Sequence, residues 1–414
     1  MAASRGRQLA AAVISVWVIA AVVAVTVILV RYDRQPGAPA AGRAVTPAAS
    51  QAGLAPGASS RAARTSPPPA ALATISIADV GDMNFGMNGR YPPGGATELL
   101  ANVARDLHSD LTVGNLETAL GSSGTTKCGP KPSAECFAFQ APASNALDVA
   151  RAGFAAVNVA NNHTDDAGAA GIQETDQALT TAHLSWTGRP GQITYLVRNG
   201  IKVALLGFAP YEYDSNLLDI PAAVAAVRQA TRHAQLVIVF IHAGAEGVGA
   251  QHVRPGMETY LGEERGDPIA FAHAVVNAGA DLVLGSGPHV LRAMQWYRGK
   301  LIAYSLGNFA GYYTLGLGGV TADSAILHVV LRADGTFASG SVTPIRLVGA
   351  GLPQPDPART GIQLINSLSR EDLGASGVHI NPGGVIVPPP PAPPAPLPAA
   401  VPTPLSTSSP LTRP

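Results

Sequence analysis

The chain has 414 residues, its 27 Lys+Arg balance 27 Asp+Glu, and only 13% of positions are charged. Without a cation surplus to follow phosphates, the composition argues against nucleic-acid binding. Two cysteines exclude a disulfide-dense scaffold or a Cys-rich zinc module, and alanine in low-complexity stretches inflates the 47% hydrophobic share.

From Gln8 to Val30 the chain is an apolar run containing Trp17, with Arg5 and Arg7 before it and Arg31 after it. About 20 such residues span a hydrocarbon core, and a cleavable signal has a shorter apolar stretch of about 7–15. Residues 1–31 therefore read as a cytoplasmic tip and an uncleaved transmembrane signal anchor. Ala38-Pro39-Ala40 keeps cleavage open as the alternative. The flanking arginines put the N-terminus inside and the rest outside, giving a single-pass protein of the cell membrane. Residues 32–73, rich in Ala, Pro, Gly and Ser, read as a disordered stalk. A folded unit is expected over 74–348, a C-terminal appendage over 349–384, and a Pro-rich disordered tail over 385–414.

Inside the folded unit, apolar strand patterns alternate with helical ones. Strands are expected at 73–80, 111–113, 155–160, 202–208, 236–241 and 281–284. Helices are expected at 97–107, 143–152, 168–182, 221–233 and 268–278. This alternation predicts parallel strands covered by helices. Asn199-Gly200, Arg298-Gly299-Lys300 and Asp334-Gly335 add hairpin turns. The class is α/β, with two sheets packed together. Cys128 and Cys136 flank a turn segment, and an outside location permits a disulfide between them.

Polar residues follow the buried strands: Gly81-Asp82, Asn115-Leu116-Glu117, Asn161-Asn162-His163, His242, and Gly285-Ser286-Gly287-Pro288-His289. Each alone reads as a turn, cap or structural residue. Five at strand ends predict one shared site, because ligands of open α/β sheets bind beyond the carboxyl ends of strands. Asp82, Glu117, Asn162, His242 and His289 form a mixed O/N set suited to a divalent Mn, Zn or Fe ion. Adjacent carboxylates would otherwise repel until one took a proton. His163, beside Asn162, is placed to protonate a leaving group.

These blocks resemble the CapA family of poly-γ-glutamate capsule synthesis proteins. The residues that carry the resemblance are Gly81-Asp82-Met83, Asn115-Leu116-Glu117, Asn161-Asn162-His163 with Asp166 and Gly168, and His242-Ala243-Gly244-Ala245-Glu246. Pro288-His289-Val290 and Tyr304-Ser305-Leu306-Gly307-Asn308-Phe309 follow. The resemblance implies a calcineurin-like metallophosphoesterase fold, a sandwich of two mixed β-sheets flanked by helices. It also implies His163 and Asp166 as catalytic residues, and Asn84, Asn115, Glu246 and Asn308 as substrate-facing ones. Asn84 stands where metallophosphoesterases carry His, and Ser286 where many CapA-like chains do. With two imidazoles fewer, one bound ion is expected.

Two functions follow from this reading. The first is an accessory factor for an anionic surface polymer, poly-γ-glutamate, working with membrane-bound synthesis subunits. Arg254 and Arg292, with Arg90 and Lys300, are its candidate cations. The second is a secreted metal-dependent hydrolase acting on a phosphoester or an amide-linked wall polymer. A third possibility, a scaffold, requires an empty site.

Overall fold

The computed structural model describes residues 72–388, apart from residues 88, 131–135 and 316–317. The expected spanning segment 8–30, most of the 32–73 stalk and the tail past 388 lie outside the described residues. Among the described residues no helix is long and apolar enough to cross a membrane.

The chain opens with β1 (Thr74–Asn84), β2 (Leu111–Leu116), the short pair β3 (Ala119–Leu120) and β4 (Gln140–Ala141), then β5 (Ala156–Asn158) and β6 (Ser185–Thr187). A second run holds β7 (Thr194–Arg198), β8 (Ile201–Phe208), β9 (Leu236–His242), the ribbon β10 (Glu258–Tyr260) and β11 (Glu263–Gly266), β12 (Leu282–Ser286), β13 (Met294–Tyr297) and β14 (Lys300–Ala303). Then come β15 (Asn308–Gly311), β16 (Asp323–Arg332), β17 (Phe337–Val348) and β18 (Leu352–Pro355). One mixed sheet runs β18-β17-β16-β1-β2-β5-β6 with β15 also on β1, and the other runs β13-β14-β12-β9-β8-β7. All three expected hairpins form: β7 with β8, β13 with β14, and β16 with β17.

Both faces of the central strands are buried, which is why they read as nearly continuous apolar runs. Ile75 and Ile77 of β1 meet Val203 and Leu205 of β8 and Ile238 of β9 in the core between the sheets. The alternate residues Ala78 and Val80 face outward, where Leu99, Val149 and Leu179 of the helices 95–100, 145–151 and 168–181 cover them. On the other outer face, Leu206 and Val239 lie under Val227, Phe271 and Val275 of the helices 220–231 and 268–278. The layers are thus helix, sheet, sheet, helix.

Local signals explain the element ends. The Pro268–Ala278 helix starts on an Asp267 cap that accepts from Ala270 N at 2.9 Å, and it stops at Gly279 with φ 117°. The helix expected at 97–107 covers only Gly95–Leu100. Leu99, Leu100, Val103 and Leu107 are buried as their spacing predicts, but the later residues follow i→i+3 bonds, Val103 N to Leu100 O and Asp106 N to Val103 O.

The 349–384 segment is built into the domain. Its Thr360–Leu373 helix buries Ile362 and Ile365 in the inter-sheet core, and Val378, Ile380 and Ile386 join them. Val385 and Ile386, assigned to the tail by the sequence pattern, also belong to this fold, because Val385 bridges Ser341 and Ile386 bridges Ile380.

Candidate metal centre and its cavity

Asp82 sits near the end of β1, at a register shift against both β2 and β15. Such an irregularity re-aims a side chain out of the pleat. The approach is close: Asp82 N donates to Gly307 O at 3.0 Å, and a Cβ on Gly81 would lie 1.8 Å from that oxygen. Glu117 follows β2, His242 ends β9, and His289 follows β12. The site therefore lies at the seam between the two sheets, beyond strands of both.

Ligand atoms of Asp82, Glu117 and His242 lie within 4.8 Å of one another, and all three side chains are buried. His242 Nε2 is 3.7 Å from Glu117 Oε1, and its Nδ1 is 3.9 Å from Asp82 Oδ1. His289 brings Nε2 to 3.5 Å from Glu117 Oε1 and Nδ1 to 3.3 Å from Asp82 Oδ2.

Amides fix the orientations. Asn115 Oδ1 accepts from Asn158 Nδ2 at 2.9 Å and Asn161 Nδ2 at 3.3 Å, so its own Nδ2 turns to Asp82 Oδ1 at 2.8 Å. Asn308 Nδ2 donates to the carbonyls of His289 and Thr321, which leaves Oδ1 to accept from His289 Nδ1 at 2.8 Å. That bond puts the proton on Nδ1 and turns the Nε2 position toward the carboxylates. Asn84 Nδ2 holds Glu117 O at 3.1 Å while its Oδ1 accepts from Gly86 N.

Both Glu117 oxygens, His242 Nε2 and Asn162 Oδ1 are buried without hydrogen-bond partners among the described residues. A buried carboxylate left unpaired is costly by several kcal/mol, on the order expected for a desolvated ion. Burial, reinforced by Asp82 and Glu246, accordingly pushes the Glu117 carboxyl well above its usual range. Burial also pushes His242 well below the ordinary histidine value, against the pull of Asp82. For His289 burial opposes the charge, but Glu117, Asp82 and Glu246 outweigh it and hold the ring well above its ordinary value. Asp82 is lowered, because its contacts with His289, His242 and Asn115 overcome its burial. Unspent oxygen and nitrogen lone pairs aimed at one another fit a divalent cation.

Beside this cluster, His163 Nδ1 meets Asp166 Oδ2 at 2.6 Å and its ring stacks on Phe139 with centroids 4.0 Å apart. Asp166 also takes Lys127 Nζ at 2.7 Å and Phe139 N at 2.5 Å. Burial lowers the His163 pKa despite Asp166. Its neutral form is favoured accordingly. Asn161 N and Thr164 Oγ1 both donate to the buried Asp214, which anchors this turn. A disulfide joins Cys128 to Cys136, as expected, with Lys127 directly before it.

A cavity of about 690 Å³ adjoins the cluster, and its lining includes Asn162, His163, Glu246 and His289. The expected substrate-facing residues divide sharply. Glu246 lines the cavity. Asn84, Asn115 and Asn308 are buried and spent on orienting Glu117, Asp82 and His289, so they face no substrate. Arg292 is 0% exposed, bound to Glu258 at 2.7 Å and to the carbonyls of Ala250 and Ala245, which takes it out of polymer binding. Exposed Arg254 is not among the cavity residues. Sequence reasoning missed Lys127, Phe139, Asp214 and Arg265. Lys127 was findable from its place beside Cys128, whereas Arg265 stands among acidic residues with no motif.

Fold and site together define an α/β sandwich protein with a candidate metal centre at the seam of its sheets. The chain matches the family model described as "Bacterial capsule synthesis protein PGA_cap" over residues 76–313, more than half its length, and belongs to that family. It is 33% identical over 232 residues to the capsule biosynthesis protein CapA of Bacillus anthracis, covering 50% of this chain and 51% of that one. It is 30% identical over 212 residues to the PGA biosynthesis protein CapA of Bacillus subtilis (strain 168), covering 46% and 50%. A probable polyglutamine synthesis accessory protein of Mycobacterium tuberculosis is 26% identical over 286 residues, covering 63% and 69%. The chain thus spans about half the length of the two CapA proteins. Among solved structures, a 5'-nucleotidase precursor from Thermus thermophilus superposes with TM-score 0.38 and 12% identity, over 72% of this chain and 59% of that one.

Proposed function

We propose that this protein is a metal-dependent accessory factor for an anionic capsule polymer of the poly-γ-glutamate type. Segment 8–30 would hold it at the outer face of the cell membrane, beside the subunits that make the polymer. The observation that carries the reading is the buried Asp82–Glu117–His242 cluster with unspent donors beside an open cavity. Family membership supports the polymer assignment.

Asp82, Glu117, His242 and His289, with Asn162 Oδ1, would hold one divalent ion of the Mn, Zn or Fe type, which when bound neutralises the carboxylates and polarises a phosphoryl or carbonyl oxygen. Asn115 and Asn308 keep Asp82 and His289 aimed at that point. Cells carrying Asp82→Asn with Glu117→Gln should lose surface-bound polymer to the level of a deletion. Unchanged polymer would reject the reading.

A second reading, a hydrolase of phosphoester or amide bonds, is favoured by His163 on the cavity wall, backed by buried Asp166. Asp166 orients the ring through Nδ1, and Nε2 is the nitrogen that can exchange a proton. Turnover of a generic phosphodiester or a γ-glutamyl oligomer that needs Mn or Zn and disappears in His163→Ala would select this reading.

A further inference from the structure

Beside the candidate metal centre stands a cation that the sequence did not mark. Arg265, on β11, is 1% exposed, and its guanidinium lies 5.8 Å from the Tyr211 ring centroid and 6.0 Å from that of Tyr260. Its strand is tied to the segment that carries two site residues, because Gly244 N, between His242 and Glu246, donates to Arg265 O at 2.9 Å. The guanidinium is spent on Glu246: Nη2 stands 2.7 Å from Glu246 Oε1, and only 13% of that carboxylate side chain is exposed. Glu263 comes within 3.7 Å of Nη1, but its side chain is 58% exposed and solvent screens its charge.

Glu246 turns its other oxygen to the centre. Oε2 is 3.6 Å from His289 Nε2, while Asn162 Nδ2 reaches Oε1 at 3.4 Å. One carboxylate therefore separates Arg265 from the candidate ligands. Asp82, Glu117 and Glu246 together carry three negative charges, and ligating histidines are neutral. One divalent ion and one guanidinium cancel those charges. A second divalent ion would leave a surplus of positive charge in a buried site, where an uncompensated charge is costly. Oxygen donors for a second ion are not lacking. Both Glu117 oxygens are unspent, and carboxylates that bridge neighbouring ions build two-metal sites. Glu246 would be the further anionic ligand, and Arg265 holds it.

We infer that Arg265 fixes the centre at one divalent ion: its buried charge stands in for a second cation and keeps Glu246 as a partner of His289 rather than a ligand. Arg265 is thus a positioning residue that acts through Glu246. The inference rests on the metal reading above and adds what sets the ion count. It also separates two causes of a single ion, the missing imidazoles at Asn84 and Ser286 or the guanidinium.

The test uses the full chain, stripped by chelator and reloaded with Mn. Metal is counted per chain by elemental analysis after desalting, coupling between ions is read by electron paramagnetic resonance, and Tm reports on folding. Wild type and Arg265→Lys, which keeps the charge, should each hold one ion with the spectrum of isolated Mn. Arg265→Gln should hold two, with the spectrum of an exchange-coupled pair, and adding Glu246→Gln should return the count to one. A count of one in folded Arg265→Gln, the result expected if the missing imidazoles alone limit the site, would overturn the inference. So would two ions in the wild type; in both cases the metal reading stands. Glu246→Gln decides the matter where Arg265→Gln alone fails to fold. It leaves the guanidinium charge uncompensated and should weaken Mn binding at least about ten-fold, and adding Arg265→Gln should restore it. No recovery in the double variant would overturn the inference. A wild type that binds no Mn would overturn the metal reading and this inference with it.

Discussion

The two sides of the site are built in opposite ways. The floor, Asp82, Glu117, His242 and His289, comes from strand ends of two sheets and is oriented by buried amides, yet its own donors are unspent. The wall, His163 and Asp166, comes from a turn, and Asp166 is satisfied three times over, by His163, Lys127 and Phe139. A floor with excess lone pairs calls for a cation. A wall with its carboxylate satisfied presents one ring nitrogen for proton exchange. Binding and proton transfer should therefore separate under mutation.

The largest expected effect breaks the floor alone. His242→Ala or Glu117→Gln should reduce affinity for Mn or Zn by more than about 100-fold, since even supporting residues around metal ligands are worth about 10–100-fold. His163→Ala should leave that affinity unchanged, as read by chelator competition. Parallel losses in both would erase the distinction.

Next in size is the disulfide, which belongs to the wall. Cys128→Ser with Cys136→Ser should lower stability by about 2–3 kcal/mol for a loop this short, as measured by denaturant unfolding. Because Lys127 and Phe139 flank the bridge and grip Asp166, any turnover should fall while metal affinity holds. A loss of metal affinity instead would mean that the loop supports the floor.

The smallest effect sharpens the electrostatics of the floor. In the metal-free protein Glu117 and His289 both titrate above their unfolded values. Groups raised on folding stabilise below the unfolded pKa and lose that contribution as pH climbs through the folded one. The Tm of metal-free protein should therefore fall as pH rises from about 6.5. The fall should be smaller in Glu117→Gln, which should also be the more stable protein by about 1–3 kcal/mol at neutral pH. Asp79 and Asp214, likewise raised by burial, titrate in both proteins and cancel. A Tm that rises over this interval would contradict the assignment.

Much of this was legible in the chain, for identifiable reasons. Strands buried on both faces, such as 201–208 and 236–242, leave apolar runs that end abruptly, and the polar residue after each run marks a strand's carboxyl end. Asp82, Glu117, His242 and His289 announced themselves in that way. Roles within the cluster were not legible. Asn84, Asn115 and Asn308 look like site residues because they are buried beside it, but only coordinates show that their amides face inward to hold other ligands. Arg292 reverses the expectation for a related reason: it is buried and Glu258 uses it up, as Glu246 does the equally buried Arg265. Partner choice across the sheets leaves no trace in local sequence. The helix at 360–373 escaped notice because its apolar residues are few and spread among polar ones.

Diffraction from crystals of the full chain soaked in Mn, recorded near the metal edge, tests the central claim most directly. The account predicts one anomalous peak within coordination distance of Asp82, Glu117 and His242. A peak only at other residues, or none at saturating Mn with ordered side chains, would contradict it.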